Sequence, residues 1–375
     1  MSQSQGLRRE RIVASPQRDP KSGRFRNISG LGPELQGDKL PVIGEYFFGG
    51  SEHRFPPAAL PLERPHELWT RAPESGLRVT WLGHSTLLIE VDGLRILTDP
   101  VFGKRASPVQ FAGPKRFHPP PASIAELPAI DVVLLSHDHY DHLCSSSVRE
   151  LAKLDVPFIT ALGVGGRLED HGVRPERVHE LDWHEHVTVG AKAGRGARFT
   201  ATPAQHFSGR GLGDRNTTLW ASWVIETDRH KLFFSGDTGL FPELSDIGKK
   251  YGPFDLVLLE IGAFHPSWGH IHLGPENALK AFHLLGGSGP SERGLFMPVH
   301  WGTFNLGLHA WDEPAETLVR LAHEQSSRLF LPRLGAPTEP SRVERVLPWW
   351  REVGQEHAPA PGQAPQAAAG LDPLR

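Results

Sequence analysis

Cysteine is almost missing from this chain: Cys144 is the single thiol in 375 residues. That excludes a disulfide framework and a cysteine-rich zinc module, and it fits a reducing compartment. No run approaches the roughly 18 consecutive apolar residues of a membrane span. No apolar stretch of signal-peptide length follows Arg8-Arg9 either, so no export signal is read. A basic excess is also lacking. Forty Lys and Arg stand against 43 Asp and Glu, a formal charge of −3, which argues against an electrostatic nucleic-acid binder. Core-forming residues are not scarce: 38% of the chain is hydrophobic and 22% charged, which excludes wholesale disorder. What stands in excess is histidine, with 21 residues, and this directs the reading to metal ligands.

The ends read differently from the middle. Residues 1–40 form a basic N-terminal arm, with seven Lys or Arg and two acids up to Arg26, and composition predicts a flexible, solvated segment. Residues 351–375, rich in Ala, Pro, Gln and Gly, read as a flexible tail. Between them, 41–350 read as one domain. Apolar, β-branched runs predict strands over 79–82, 86–91, 94–98, 132–136, 157–161, 198–202, 219–226, 231–235, 255–260 and 295–299. Asp92-Gly93 is a hairpin turn, and Asp228-Arg229 a second tight turn. Helices are predicted over 145–154, with Ser145 as N-cap, and over 275–285 and 313–325. Meander strands followed by strand–helix units predict an α/β architecture of sheets covered by helices.

Chemistry concentrates in His137-Asp138-His139-Tyr140-Asp141-His142, directly after a buried strand. Alternation puts His137 and His139 on one side, able to grip one ion. Asp141 and His142 follow where the chain turns and can grip a second. Imidazole nitrogen and carboxylate oxygen suit zinc, with iron or manganese as alternatives. Three more ligand types follow predicted strands: His206 in PAQH, Asp237 in GDTG and His300 in HWGTF.

These residues resemble the metallo-β-lactamase superfamily, an αββα four-layer sandwich with a two-metal site between its sheets. WLGHST at 81–86, LTDPVF at 97–102, SHDHYDHL at 136–143, NTTLWASW at 216–223, EIGAF at 260–264 and IHLGP at 271–275 join the three motifs above. Together they are most similar to the N-acyl-phosphatidylethanolamine-hydrolysing phospholipase D group, and GRFRN at 23–27 resembles that group's N-terminal approach. The resemblance implies that His137, His139 and His206 hold a first metal, that Asp141, His142 and His300 hold a second, and that Asp237 bridges both. It implies Asp99 and His84 as orienting residues behind the ligands. It also implies hydrolysis of a phosphodiester by a hydroxide bridging two zinc ions, in a site left at about +1 before substrate binds.

His272 is then expected to contact substrate or move a proton, and the Tyr140 hydroxyl to bond a metal-bound oxygen. Phe207, Trp220 and Trp301 are expected to line an apolar groove for acyl chains. The expected partner is a phospholipid or another phosphodiester, not a nucleic acid. The expected location is cytoplasmic, with peripheral membrane contact and a homodimer both compatible with the sequence. Leu240, Ile271 and 267–269 depart from the group's pattern beside the site. They keep open a lactonase or phosphate-ester hydrolase of the same superfamily acting on a small soluble substrate. A flavin-dependent di-iron oxidoreductase is disfavoured by His139, where that group carries an acid.

Overall fold

The computed structural model describes residues 3–32, 53–190, 196–287 and 294–355. Two mixed sheets carry the fold. The first is built from β1 (Leu77–Gly83), β2 (Thr86–Val91), β3 (Leu94–Thr98), β4 (Val132–Leu135), β5 (Phe158–Ala161), β6 (Val178–Leu181) and a short β13 (Pro337–Thr338), in the order β13-β1-β2-β3-β4-β5-β6. The second holds β7 (His186–Val189), β8 (Ala197–Thr202), β9 (Ser222–Glu226), β10 (Lys231–Phe234), β11 (Leu256–Glu260) and β12 (Leu295–Val299), in the order β12-β11-β10-β9-β8-β7. The first three strands form a meander. Its second turn is made by Asp92 and Gly93, both at positive φ (47° and 86°), as a right-twisted hairpin requires. From β3 to β6 the pairing is parallel, as it is from β10 to β12.

Strands β2, β4, β5 and β11 are buried along their whole length, as strands covered on both faces must be. Helices α1 (Gln3–Ala14), α2 (Ser145–Leu151), α3 (Gly165–Glu169), α4 (Leu244–Tyr251), α5 (Gly274–Leu284) and α6 (Glu313–Glu324) supply the cover. Helix α3 packs beside β6, and α5 lies on β11 with α6 against it. The result is the expected α/β sandwich around one large core, with a small separate cluster of Val101, Cys144 and Phe304. A charge pair is tolerated inside it because the pairing is complete. Arg78 and Glu90 stand opposite each other on β1 and β2, and the guanidinium donates to both carboxylate oxygens at 2.5 and 2.8 Å.

The N-terminal arm is a correction to the sequence reading. Residues 3–14 form a helix, and the segment after it docks. Arg8 pairs with Glu169 at 2.5 Å and Glu180 at 2.6 Å, Arg11 pairs with Glu185, and Phe25 is buried in the core. Residues 33–40, assigned to the same arm, lie outside the described residues. So does the predicted tail from 356 onward, while Arg351 before it pairs with Glu316 at 2.7 Å. Helix α2 starts after Cys144 rather than being capped by Ser145, and it ends three residues earlier than predicted.

The tryptophans also sit differently from expectation. Trp301 stacks on Trp81 with ring centroids 5.1 Å apart, and Trp349 and Trp350 close over it at 5.8 and 5.5 Å. Trp220 is 1% exposed, and its Nε1 donates to the Ala204 carbonyl and to Asn27 Oδ1. Both rings are core, so neither lines a groove for acyl chains. Sequence position near a ligand does not distinguish a ring facing the site from one packed behind it.

Candidate metal centre

Strand direction explains why the site forms where it does. Strands β3 and β4 run parallel, so Asp99 and His137, just past their carboxyl ends, emerge side by side. The same holds for Asp237, Glu260 and His300 on β10, β11 and β12. Strand β1 is antiparallel to β2 and β2 to β3, so β1 shares the direction of β3 and delivers His84 to the same edge. By the same double reversal β8 shares the direction of β10 and delivers His206. Apolar strands thus feed polar side chains into one crevice at the sheets' carboxyl edges. The turns are forced: His84, Asp99 and His300 adopt positive φ (54°, 32° and 63°), an unfavourable region for residues with a side chain. Gly236 is required because a Cβ there would come within 2.4 Å of the Ser136 side chain.

The described residues place eight side chains in two groups, the ligand atoms of each lying within 4.8 Å of one another: His137, His139, His206 and Asp237, and His84, Asp141, His142 and His300; a third such group shares Asp237 and His300 with them and adds Glu260 and His272. Asp237 Oδ2 is the hub. It lies 3.1 Å from His142 Nε2, 3.2 Å from His300 Nε2, 3.7 Å from His206 Nε2 and 3.9 Å from His137 Nε2. Asp141 Oδ2 faces His84, His300 and His142 Nε2 at 3.0, 3.3 and 3.5 Å. His84, expected behind the ligands, therefore stands within the second group itself.

The donor set suits cations. His139 Nδ1 sits 2.8 Å from His137 Nε2 and 3.2 Å from His206 Nε2. Three ring nitrogens facing each other can share few protons, so lone pairs confront one another unless a cation lies among them. His142 Nε2 and Asp237 Oδ1 are buried with no hydrogen-bond partner. The outer nitrogens of His142 and His206, in contrast, are held. His142 Nδ1 meets Asp99 Oδ2 at 2.7 Å, and His206 Nδ1 meets the Ile271 carbonyl at 2.9 Å. An N–H donated outward fixes the tautomer that turns the Nε2 lone pair inward. Asp99 also accepts from Ser136 N and Oγ, both at 2.7 Å.

Electrostatics make the same point. Burial lowers the imidazole pKa throughout the site. It prevails at His137 and His206, which lie well below the usual value, and at His84, pushed down to about 3. At His300 and His142 burial is outweighed by the Asp237 carboxylate, with Asp141 adding to it. His300 rises to about 10, and His142 rises well above the ordinary range. Burial would raise Asp141 and Asp237, but the facing His142 holds both well below the carboxylate range. The carboxylates draw positive charge into the crevice, a demand that divalent cations meet.

Beside the two groups lies a pair that the sequence reading did not assemble. His272 Nδ1 meets Glu260 Oε2 at 2.8 Å, while Glu260 Oε1 accepts from Thr238 N at 3.0 Å and Leu273 N at 3.2 Å. The His272 ring centroid is 5.1 Å from that of His206 and 5.4 Å from that of His300. Glu260 ends an apolar strand within EIGAF, and its pairing with a residue twelve positions on is set by the fold. A cavity of about 460 Å³ opens at His272, lined also by Phe264, His265, Glu276, Thr317 and Arg320. Phe207 borders the first group, 4.4 Å from the His139 ring. Tyr140 does not enter the site as expected. Its hydroxyl donates to the Arg210 carbonyl at 2.9 Å, and its ring is covered by the Arg210 guanidinium at 3.8 Å.

Comparison with known proteins agrees with this geometry. Residues 94–301 match the family described as the beta-lactamase superfamily domain. An uncharacterized protein of Mycobacterium tuberculosis is 45% identical over 343 residues, covering 91% of this chain and 89% of that one. The N-acyl-phosphatidylethanolamine-hydrolyzing phospholipase D 1 of Caenorhabditis elegans is 37% identical over 258 residues, covering 66% of this chain and 70% of that one. A metallo hydrolase of the archaeon Ignicoccus hospitalis agrees in fold, with a TM-score of 0.52 at 24% identity over 70% of this chain and 97% of that one. With the domain spanning both sheets and the donors gathered at their carboxyl edges, the chain belongs to the metallo-β-lactamase superfamily, as one of its metallo-hydrolases.

Proposed function

We propose that this chain is a two-metal phosphodiesterase of phospholipase D type, acting on an N-acyl-phosphatidylethanolamine-type phospholipid. The observation that carries the reading is Asp237 Oδ2, set within 3.9 Å of imidazole nitrogens from both donor groups. His137, His139 and His206 would hold one zinc ion, and Asp141, His142 and His300 the other. Two such cations supply a lowered water pKa and neutralise phosphate charge. The relatives that hydrolyse N-acyl-phosphatidylethanolamine support the choice of substrate.

The reaction breaks the P–O bond to N-acylethanolamine, and the departing alkoxide oxygen needs a proton. His272 is the residue suited to deliver it. Its Nδ1–H is committed to Glu260, which leaves Nε2 for the substrate. Asp99 and the Ile271 carbonyl keep the ligand rings oriented during turnover. Peripheral contact with a membrane surface belongs to the same proposal; among the described residues no helix is long and apolar enough to cross a membrane.

A second reading, a lactonase or phosphate-ester hydrolase with a small soluble substrate, is favoured by two observations. The cavity at His272 carries Glu276, Glu313 and Arg320 as well as apolar side chains, and two of the rings expected to line an acyl groove are buried. An activity panel separates the two. Zinc-loaded protein is expected to release N-acylethanolamine from N-acyl-phosphatidylethanolamine vesicles with kcat/KM at least about 100-fold above that for sugar-phosphate lactones. The reverse order would replace the first reading by the second.

A further inference from the structure

The N-terminal segment reaches the metal centre through one side chain. Asn27 is buried, and all four of its amide hydrogen-bonding positions are used. Its Oδ1 accepts from His206 N at 3.0 Å and Trp220 Nε1 at 3.1 Å. Its Nδ2 donates to the His206 carbonyl at 2.8 Å and the Leu31 carbonyl at 2.7 Å. His206 lies four residues beyond the end of β8, outside any strand ladder. Both of its backbone groups are thus satisfied by an amide 179 residues away in sequence. Its ring Nδ1 is fixed separately by Ile271.

The segment is tied down upstream of Asn27. Phe25 N donates to the Asn216 carbonyl at 2.9 Å, and Arg24 donates to the carbonyls of Arg215 and Gly213, both at 2.9 Å. Further upstream, Arg8 holds Glu180, whose other oxygen accepts from Gly163 N and Gly165 N at 2.8 and 2.9 Å.

We infer that Asn27 is a positioning residue for the metal group formed by His137, His139 and His206, and that the N-terminal segment is part of the metal centre. The inference rests on the reading of His206 as a ligand. It differs from a purely structural role in being selective. Losing Asn27 leaves two buried backbone groups unpaired at one ligand of the first group and touches no ligand of the second.

Cobalt titration of the full-length apoprotein, followed by visible absorption and calorimetry, tests it. Wild type is expected to take two equivalents. Asn27→Ala is expected to bind one equivalent as wild type does and the other about 10–100-fold more weakly, with an altered cobalt spectrum. Asn27→Asp keeps the shape and the acceptor but loses the donor, so it folds and shows a smaller loss at the same equivalent. Leu318→Ala, a core change on α6, lowers thermal stability and leaves both equivalents intact. Wild-type affinity for both equivalents in the two Asn27 variants, or equal weakening of both, would overturn the inference. Failure of wild type to bind any cation would instead remove the reading of the metal centre on which it rests.

Discussion

Replacing Asp237 by Asn is expected to lower phosphodiester kcat/KM by at least about 1,000-fold, roughly 4 kcal/mol of transition-state stabilisation. The side chain keeps its volume, so the fold should persist. What changes is the charge at the hub. One oxygen of Asp237 lies among four imidazole nitrogens of both donor groups, and the other is buried without a partner. An amide there is neutral, and turning its NH₂ inward would aim donors at the place a cation should occupy. Elemental analysis of the purified variant should return fewer than two metals per chain, and the hydrolysis assay should fall with it. Full metal content with full activity would show that the hub carries no ligand role.

His272→Ala should behave in the opposite way with respect to metal. The His272 ring is tied to Glu260, and it belongs to neither of the two groups that His137–His142 supply, only to the third, with Asp237, Glu260 and His300. Metal content is therefore expected to stay at the wild-type level while kcat falls about 100- to 1,000-fold, with a smaller change in KM. The pH profile carries the sign. Burial lowers the pKa of His272, but the Glu260 charge and hydrogen bond outweigh it and raise the pKa above the usual imidazole value. A proton donor with a raised pKa stays loaded to higher pH, so activity should decline on the alkaline side as pH rises through that pKa. Glu260→Gln removes the raising influence, and the alkaline limb should move to lower pH. An alkaline limb unmoved in Glu260→Gln would remove His272 from proton transfer.

Much of this centre could be read from the chain because each contributor follows an apolar strand. Val132 to Leu135 precede His137, Leu295 to Val299 precede His300, and Lys231 to Phe234 lead to Asp237. Strand alternation and buried runs are local signals, and they survive into the fold. Strands β6 and β7 escaped because VHEL and HVTV are only four residues long, partly exposed and half polar, too short for a pattern to stand out. Helix α1 escaped because its anchors, Glu169, Glu180 and Glu185, lie 161 to 174 residues away. No window of sequence around Arg8 contains them. The Asn27 contact was hidden for the same reason, whereas Glu260 and His272 are only twelve residues apart and are joined by a turn that no strand or helix pattern announces. Tyr140 was misread because position inside the ligand loop says nothing about which way the ring turns, and here Arg210 claims it.

The two-cation claim is tested most directly by removing and restoring metal in the unaltered chain. The protein would be stripped with a chelator and checked by circular dichroism. Zinc would then be titrated back while bound metal and hydrolysis of N-acyl-phosphatidylethanolamine are followed together. The account predicts an inactive apoprotein, uptake that saturates at two ions per chain, and activity that appears with occupancy of the pair. Hydrolysis by folded, metal-free protein, or activity already complete at a single ion per chain, would contradict it.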